Sequence, residues 1–271
     1  MRLNSTKAIA MSKSIYTILA VVTALLTSCA SSYNVRGTSS VSAMDGSKLY
    51  LKAVKNNDLK NIDSCEVVHG EFHFAGLLDT VRMVSLFMDD ESIMPLVLEE
   101  GEIEIRIENA VQRVSGTPLN DTLYVFVDKH NQLSNRMAEL SHRQSQMLLD
   151  GIDEEVINRQ LSAEANEIAA EEDKLVTTFI CDNFDNVLGP GIFMMITSQY
   201  RYPILTPQIE EIMSKATNHF KNDPYVRDYY QTAQENEARM NGTKDMEDVD
   251  APLPDSTAVQ PAAPLTNVPQ P

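Results

Sequence analysis

The chain has 271 residues, 39 acidic against 22 basic, a formal charge of −17 and no tryptophan. It has no run of three basic residues, and polyanion binding needs clustered cations to displace counterions, so nucleic acid is excluded as a partner. With three cysteines and no Cys-x-x-Cys pair, the chain also lacks the means for two-cysteine thiol–disulfide chemistry.

Residues 15–26 form an uncharged apolar block preceded by Arg2, Lys7 and Lys13, with no acid before Asp45. This is the n-region and h-region pattern of a secretory signal, and Met11 also serves as a start. The block is shorter than the roughly 20 residues a membrane-spanning helix needs. It closes on Leu26-Thr27-Ser28-Cys29, which reads as a bacterial lipobox. The expectation is a signal peptide over 1–28, with the mature chain starting at an acylated Cys29 and held on a membrane by its lipid. Cleavage removes three basic residues and no acid, taking the formal charge from −17 to −20. No acidic cluster follows Cys29, which favours a periplasm-facing place on the outer membrane over the cell surface.

From 33 to 116 apolar residues alternate with polar ones, as half-solvated antiparallel strands require. Strands are predicted at 33–38, 47–54, 64–69, 71–75, 81–88, 94–99, 101–108 and 111–115, with glycine turns at Gly46, Gly70 and Gly101. Eight short strands at this spacing predict a sandwich or open barrel over residues 29–116. The fold class is therefore α+β, a β domain followed by a helical domain over 117–240.

The period changes at Gly116-Thr117-Pro118. Thr117 is expected to cap a helix running to about Leu149, with Pro118 at its first position and Asp121 in its first turn. Gly151 ends that helix. Asp153-Glu154-Glu155 opens a second, whose stripe includes Val156, Ile157, Leu161, Ala165, Ile168, Leu175, Val176 and Phe179. Shorter helices are predicted at 191–201, at 207–221 after Thr206, and at 224–240 after Asp223. Residues 241–271 hold 6 of the 12 prolines and no aromatic residue. They are expected to be a disordered acidic tail.

No residue group reads as a catalytic or cofactor site. His69 and His73 are separated by a turn glycine, and zinc would want further ligands at matching spacing. His130 and His142 lie three turns apart on one helix and read as surface histidines. Asp89-Asp90-Glu91 and Glu99-Glu100-Glu102 lack the alternation of a calcium loop and read as solvated turns. Cys65 and Cys181, each among apolar neighbours, read as buried free thiols, with a mutual disulfide as the alternative. No Gly-x-Ser-x-Gly or glycine-rich phosphate loop occurs. Asp255-Ser256-Thr257 matches a three-residue O-glycosylation signal of envelope proteins, which makes Ser256 a candidate acceptor; Asp79-Thr80-Val81 and Asp121-Thr122-Leu123 match it within predicted structure.

Four segments carry a family resemblance: Asp45–Leu51, Ile62–Val67 with Gly70–Gly76, Pro95–Gly101 and Val114–Asp121. Over residues 33–121 the chain resembles the lipoprotein domain of unknown function that precedes thioredoxin-like domains of the TlpA/ResA and AhpC/TSA type in Gram-negative gut anaerobes. Asp185-Asn186-Val187-Leu188-Gly189 is similar to the helices that follow in that family. Where the relatives continue into a Trp-Cys-x-x-Cys module, this chain has its proline-rich segment, so the resemblance brings no redox activity, no cofactor and no site residue. The expected function is that of a non-catalytic, membrane-anchored accessory module with a protein partner in the envelope, a thioredoxin-like lipoprotein being the partner implied. A small-molecule or glycan-binding lipoprotein and a hydrolase with an unrecognised site are the alternatives.

Overall fold

In a computed structural model that describes residues 31–55, 58–109 and 111–242, the alternating segment folds into two four-stranded sheets. One has the order β4-β1-β7-β8, formed by Glu71–Leu77, Ser32–Ser39, Gly101–Ile107 and Gln112–Ser115. The other has the order β3-β2-β5-β6, formed by Asp58–Glu66, Lys48–Lys55, Arg82–Met88 and Glu91–Leu98. Val35, Phe74, Ile103 and Ile105 from the first sheet meet Leu49, Leu51, Leu86 and Leu96 from the second in one buried cluster. The predicted two-layer β region is therefore present, with one departure from antiparallel pairing. β1 runs parallel to β7, which the chain allows by crossing to the second sheet for β5 and β6 before it returns.

β3 begins at Asp58 and ends at Glu66, where 64–69 was predicted. Its residues are almost all exposed because it pairs along one edge with β2 and covers little of the core. The hydrophobic alternation that marks a half-buried strand is consequently missing. Residues 67–70 turn instead, with His69 and Gly70 both at positive φ.

The register gives the sandwich two ends. Ser32 lies opposite Leu77, Tyr33 opposite Gly101 and Arg82 opposite Leu98. The short connections from β4 to β5 and from β6 to β7 keep these pairs at one end, the base. Thr38 opposite Glu71 and Ile107 opposite Gln112 mark the other.

Among the described residues six helices follow: α1 Pro118–Leu149, α2 Glu154–Asp182, α3 Leu188–Thr197, α4 Pro207–Lys215, α5 Asn218–Asn222 and α6 Pro224–Met240. Three predicted caps form: Asp153, Thr206 and Asp223 each accept amides of the first turn that follows them. The helix expected over 207–221 is two, because Thr217 takes an extended conformation and caps the Phe220 amide. α3 starts three residues before its predicted position, where the Asn186 side chain accepts the Leu188 amide. It lies against β5 at Gly191, where a Cβ would overlap the Met83 sulfur. The main hydrophobic cluster accordingly runs from β1 to α6, and sheets and helices share it.

Candidate functional site

The predicted lipid attachment at Cys29 and the predicted glycosylation at Ser256 lie outside the described residues. The described chain starts at Ser31, two positions beyond Cys29. Ser31 accepts the Leu78 amide at 2.8 Å through its carbonyl, and its hydroxyl reaches Glu100 at 3.4 Å. The chain therefore joins the folded body at the base.

α1 also starts at the base and climbs. Asn120 meets Val97, the Tyr124 hydroxyl donates to the Pro95 carbonyl at 3.0 Å, and Asp128 pairs with Arg113 at 2.7 Å. The Asn120 side chain is fully buried. Its oxygen accepts the Val97 amide at 2.9 Å and its nitrogen donates to the Val97 carbonyl at 2.8 Å. One amide thus satisfies both backbone groups of an edge residue, as a further strand would. Pro95 fits this edge because an outward position in an edge strand needs no N–H.

Thr117 does not cap α1 as predicted; its hydroxyl accepts from Asn120 Nδ2 at 2.8 Å. The cap is Glu99, buried rather than solvated, whose Oε1 accepts the Leu119 and Asn120 amides at 2.9 and 3.1 Å. A carboxylate at unpaired amides of a helix N-terminus is favourably placed in its field. Segments 95–101 and 114–121, two of those that carry the family resemblance, are thus the two halves of a latch between sandwich and helices.

Beyond the body α1 and α2 form an antiparallel arm. Leu133, Leu140, Ile157, Leu161 and Ile168 make a seam of their own, separate from the main cluster. Ion pairs flank it: Arg136–Glu171 and Arg143–Glu164, both at 2.6 Å, and His130–Glu172 at 3.0 Å. His130, predicted to be a surface histidine, is instead largely covered between the two helices beside Phe126. Its Nδ1 is buried without a partner, while Nε2 holds the Glu172 carboxyl below its usual range. His142 is exposed.

The arm turns at Asp150–Asp153. Gly151, at φ 74°, donates to Leu148, and Ile152 donates to Met147. This pair of hydrogen bonds across a left-handed residue closes the last turn of α1. Around the turn Leu148, Leu149, Ile152 and Val156 are exposed, Leu149 to 88%. Asp150, Asp153, Glu154 and Glu155 surround them. Within this 32-residue helix the rise of 1.5 Å per residue places the tip about 48 Å from the base. Sequence reasoning assigned Val156 to the helical stripe and missed the tip, although Met147-Leu148-Leu149 beside Gly151-Ile152 is more apolar than a solvated turn requires.

The remaining candidates separate. Cys65 and Cys181 are free and half-buried; burial pushes the Cys65 thiol up to about 11 and raises Cys181 as well. His73 is bonded to Asn34 at 2.6 Å, and His69 stands exposed in its turn. Asp89, at positive φ, forms the exposed β5–β6 turn with Asp90. Among the described residues no group of three or more His, Cys, Asp or Glu is placed to hold a metal, and no helix is long and apolar enough to cross a membrane.

The fold and its latch define a two-sheet β module closed by a helix that starts beside its last strands. Residues 33–123, from β1 to the first turns of α1, match the family model described as Domain of unknown function (DUF4369). The match spans all four segments on which the resemblance was read, and it ends just past the latch. No curated protein and no solved structure matches the chain.

Proposed function

We propose that this protein is an envelope lipoprotein, anchored through Cys29 on the periplasmic face of the outer membrane, that acts as a non-catalytic binding module. The observation that carries the reading is polarity. The lipobox ends two residues before Ser31 at the base, and the exposed apolar residues of the arm stand at the opposite extreme. A lipid at Cys29 would direct the arm away from the bilayer. The tip would then meet a protein partner with an apolar recess and a basic rim, matched to Leu148, Leu149 and Ile152 and to the acids around them. A thioredoxin-like lipoprotein of the same membrane is the partner the resemblance implies. In this role the β module positions the arm and performs no chemistry.

Two substitutions test the two halves of the proposal. Cys29→Ala is expected to abolish incorporation of a fatty-acid analogue and release the chain from membranes, or leave it as an uncleaved precursor, because the acyl chains supply nearly all the affinity. Leu149→Asp, at an exposed position, is expected to leave folding and anchoring intact while removing the envelope protein that the wild type retains in a detergent pulldown. Unchanged labelling in Cys29→Ala would rule out the anchor, and an unchanged pulldown with Leu149→Asp would rule out the tip.

A further inference from the structure

The base of the sandwich carries an apolar surface of its own. Leu77 ends β4 with 78% of its surface exposed, and Val81, just before β5, is also exposed. Between them Leu78 is half-buried against the main cluster, and its amide is tied to the Ser31 carbonyl at 2.8 Å. Lys52 opposite Ser85 brings the β2–β3 hairpin to this same end, with Val54 and Leu59 exposed where it turns.

We infer that this base is a membrane-contact surface, with Leu77, Leu78 and Val81 seated in the interfacial layer of the bilayer that holds the protein. The inference rests on the anchoring proposed above. Thirty residues precede Ser31, and the thiol predicted to carry the lipid is two positions away from it. A spacer that short, at about 3.3–3.6 Å per residue, cannot lift the β4–β5 turn clear of the headgroups. Charge permits the approach although the chain is strongly acidic. Two of the acids at this end are paired, Asp79 with Arg82 and Asp58 with Lys60. A zwitterionic bilayer therefore meets apolar side chains flanked by these ion pairs. The surface also fixes orientation, because lipid on one side of the chain and buried leucines on the other hold the body upright.

The absence of tryptophan from the sequence makes the test clean. Leu77→Trp and Val68→Trp each introduce a single indole at an exposed site, the first at the base and the second beside Gly70, which is bonded to Ser39 at the opposite end. The lipidated proteins are purified from membranes, their acyl chains verified by mass spectrometry, and reconstituted into phosphatidylcholine vesicles with bromine on the acyl chains. An indole seated about 5–10 Å into the headgroup–acyl boundary should lose at least about half its emission and shift to the blue. Val68→Trp should be unchanged. If acyl chains are present and Leu77→Trp is as unquenched as Val68→Trp, the membrane contact is overturned and the anchor stands. Acyl chains missing from the wild-type protein would overturn the anchor and, with it, the contact.

Discussion

The sandwich and the arm are both held by buried apolar side chains, but the sequence separations they close differ. β1 pairs with β4 and β7, about 40 and about 70 positions away, and the resulting core reaches α6. Such contacts require much of the chain to be in place at once, so the sandwich and the packed helices should melt together. The arm closes on itself within about 40 residues through five buried side chains and partly exposed ion pairs. Exposed pairs contribute little net stability. The arm should therefore open on its own well before the body does, as a low-stability unit. The partner binding proposed for the arm tip is compatible with this property, since opening the arm leaves the scaffold intact.

The sharpest test compares Phe74→Ala with Ile168→Ala, two fully covered positions in the two clusters. Removing Phe74 should cost about 3–5 kcal/mol and lower the global unfolding midpoint. Ile168→Ala should cost about 2 kcal/mol, read mainly as faster amide exchange across 133–168 with protection in β5 and β6 nearly unchanged. Equal loss of protection in both regions would break the distinction.

The latch comes next. Asn120→Ala leaves the Val97 amide and carbonyl without partners and removes one of the donors to Glu99. Each buried group left unpaired costs about 1–3 kcal/mol, so a total of about 2–4 kcal/mol is expected in denaturant titration. Asn120→Asp should fail to restore it, since a carboxylate returns the acceptor for Val97 but not the donor, and it faces Glu99. A loss below about 1 kcal/mol for Asn120→Ala would show that the sheet edge is satisfied in another way.

The smallest expected effect is the pH response of the arm. His130 holds the Glu172 carboxyl below its ordinary value of 4.5. A carboxyl with a depressed pKa adds stability that is fully present above the unfolded value and is lost as pH falls through the folded one. Exchange within the arm should thus be slower in the wild type than in Glu172→Gln near about pH 5, and the gap should close as the pH is lowered toward about 3. A gap that widens on acidification would exclude the ion pair as its source.

Local chemistry was legible where a residue acts on its own neighbours. Period-2 alternation gave seven of the eight strands close to their observed positions, and Asp153, Thr206 and Asp223 cap the helices they precede. Gly151 ends α1 because a left-handed C-terminal position favours glycine whatever surrounds it. The candidate surfaces were only half legible. The lipobox proposed at Cys29 is read from a linear pattern, but Leu77 and Leu149 look like any apolar residues at the end of a strand or a helix until their exposure is seen.

What remained was decided by partners distant in sequence. Glu99 rather than Thr117 caps α1, because the β6–β7 turn brings a carboxylate to the helix amides before the local hydroxyl is needed. Asn120 is an ordinary polar residue in a helix until β6 presents an unpaired backbone, and His130 an ordinary surface histidine until α2 covers it. β3 gives no periodic signal because it has one neighbour and little core to cover, and its strand form comes from pairing with β2. The sequence by itself determined the local periods and the caps at Asp153, Thr206 and Asp223, since these depend on residues within a turn or two. Tertiary structure alone decided which polar groups are buried together and that Ser31 and the arm tip lie at opposite ends, because those outcomes depend on where the chain returns.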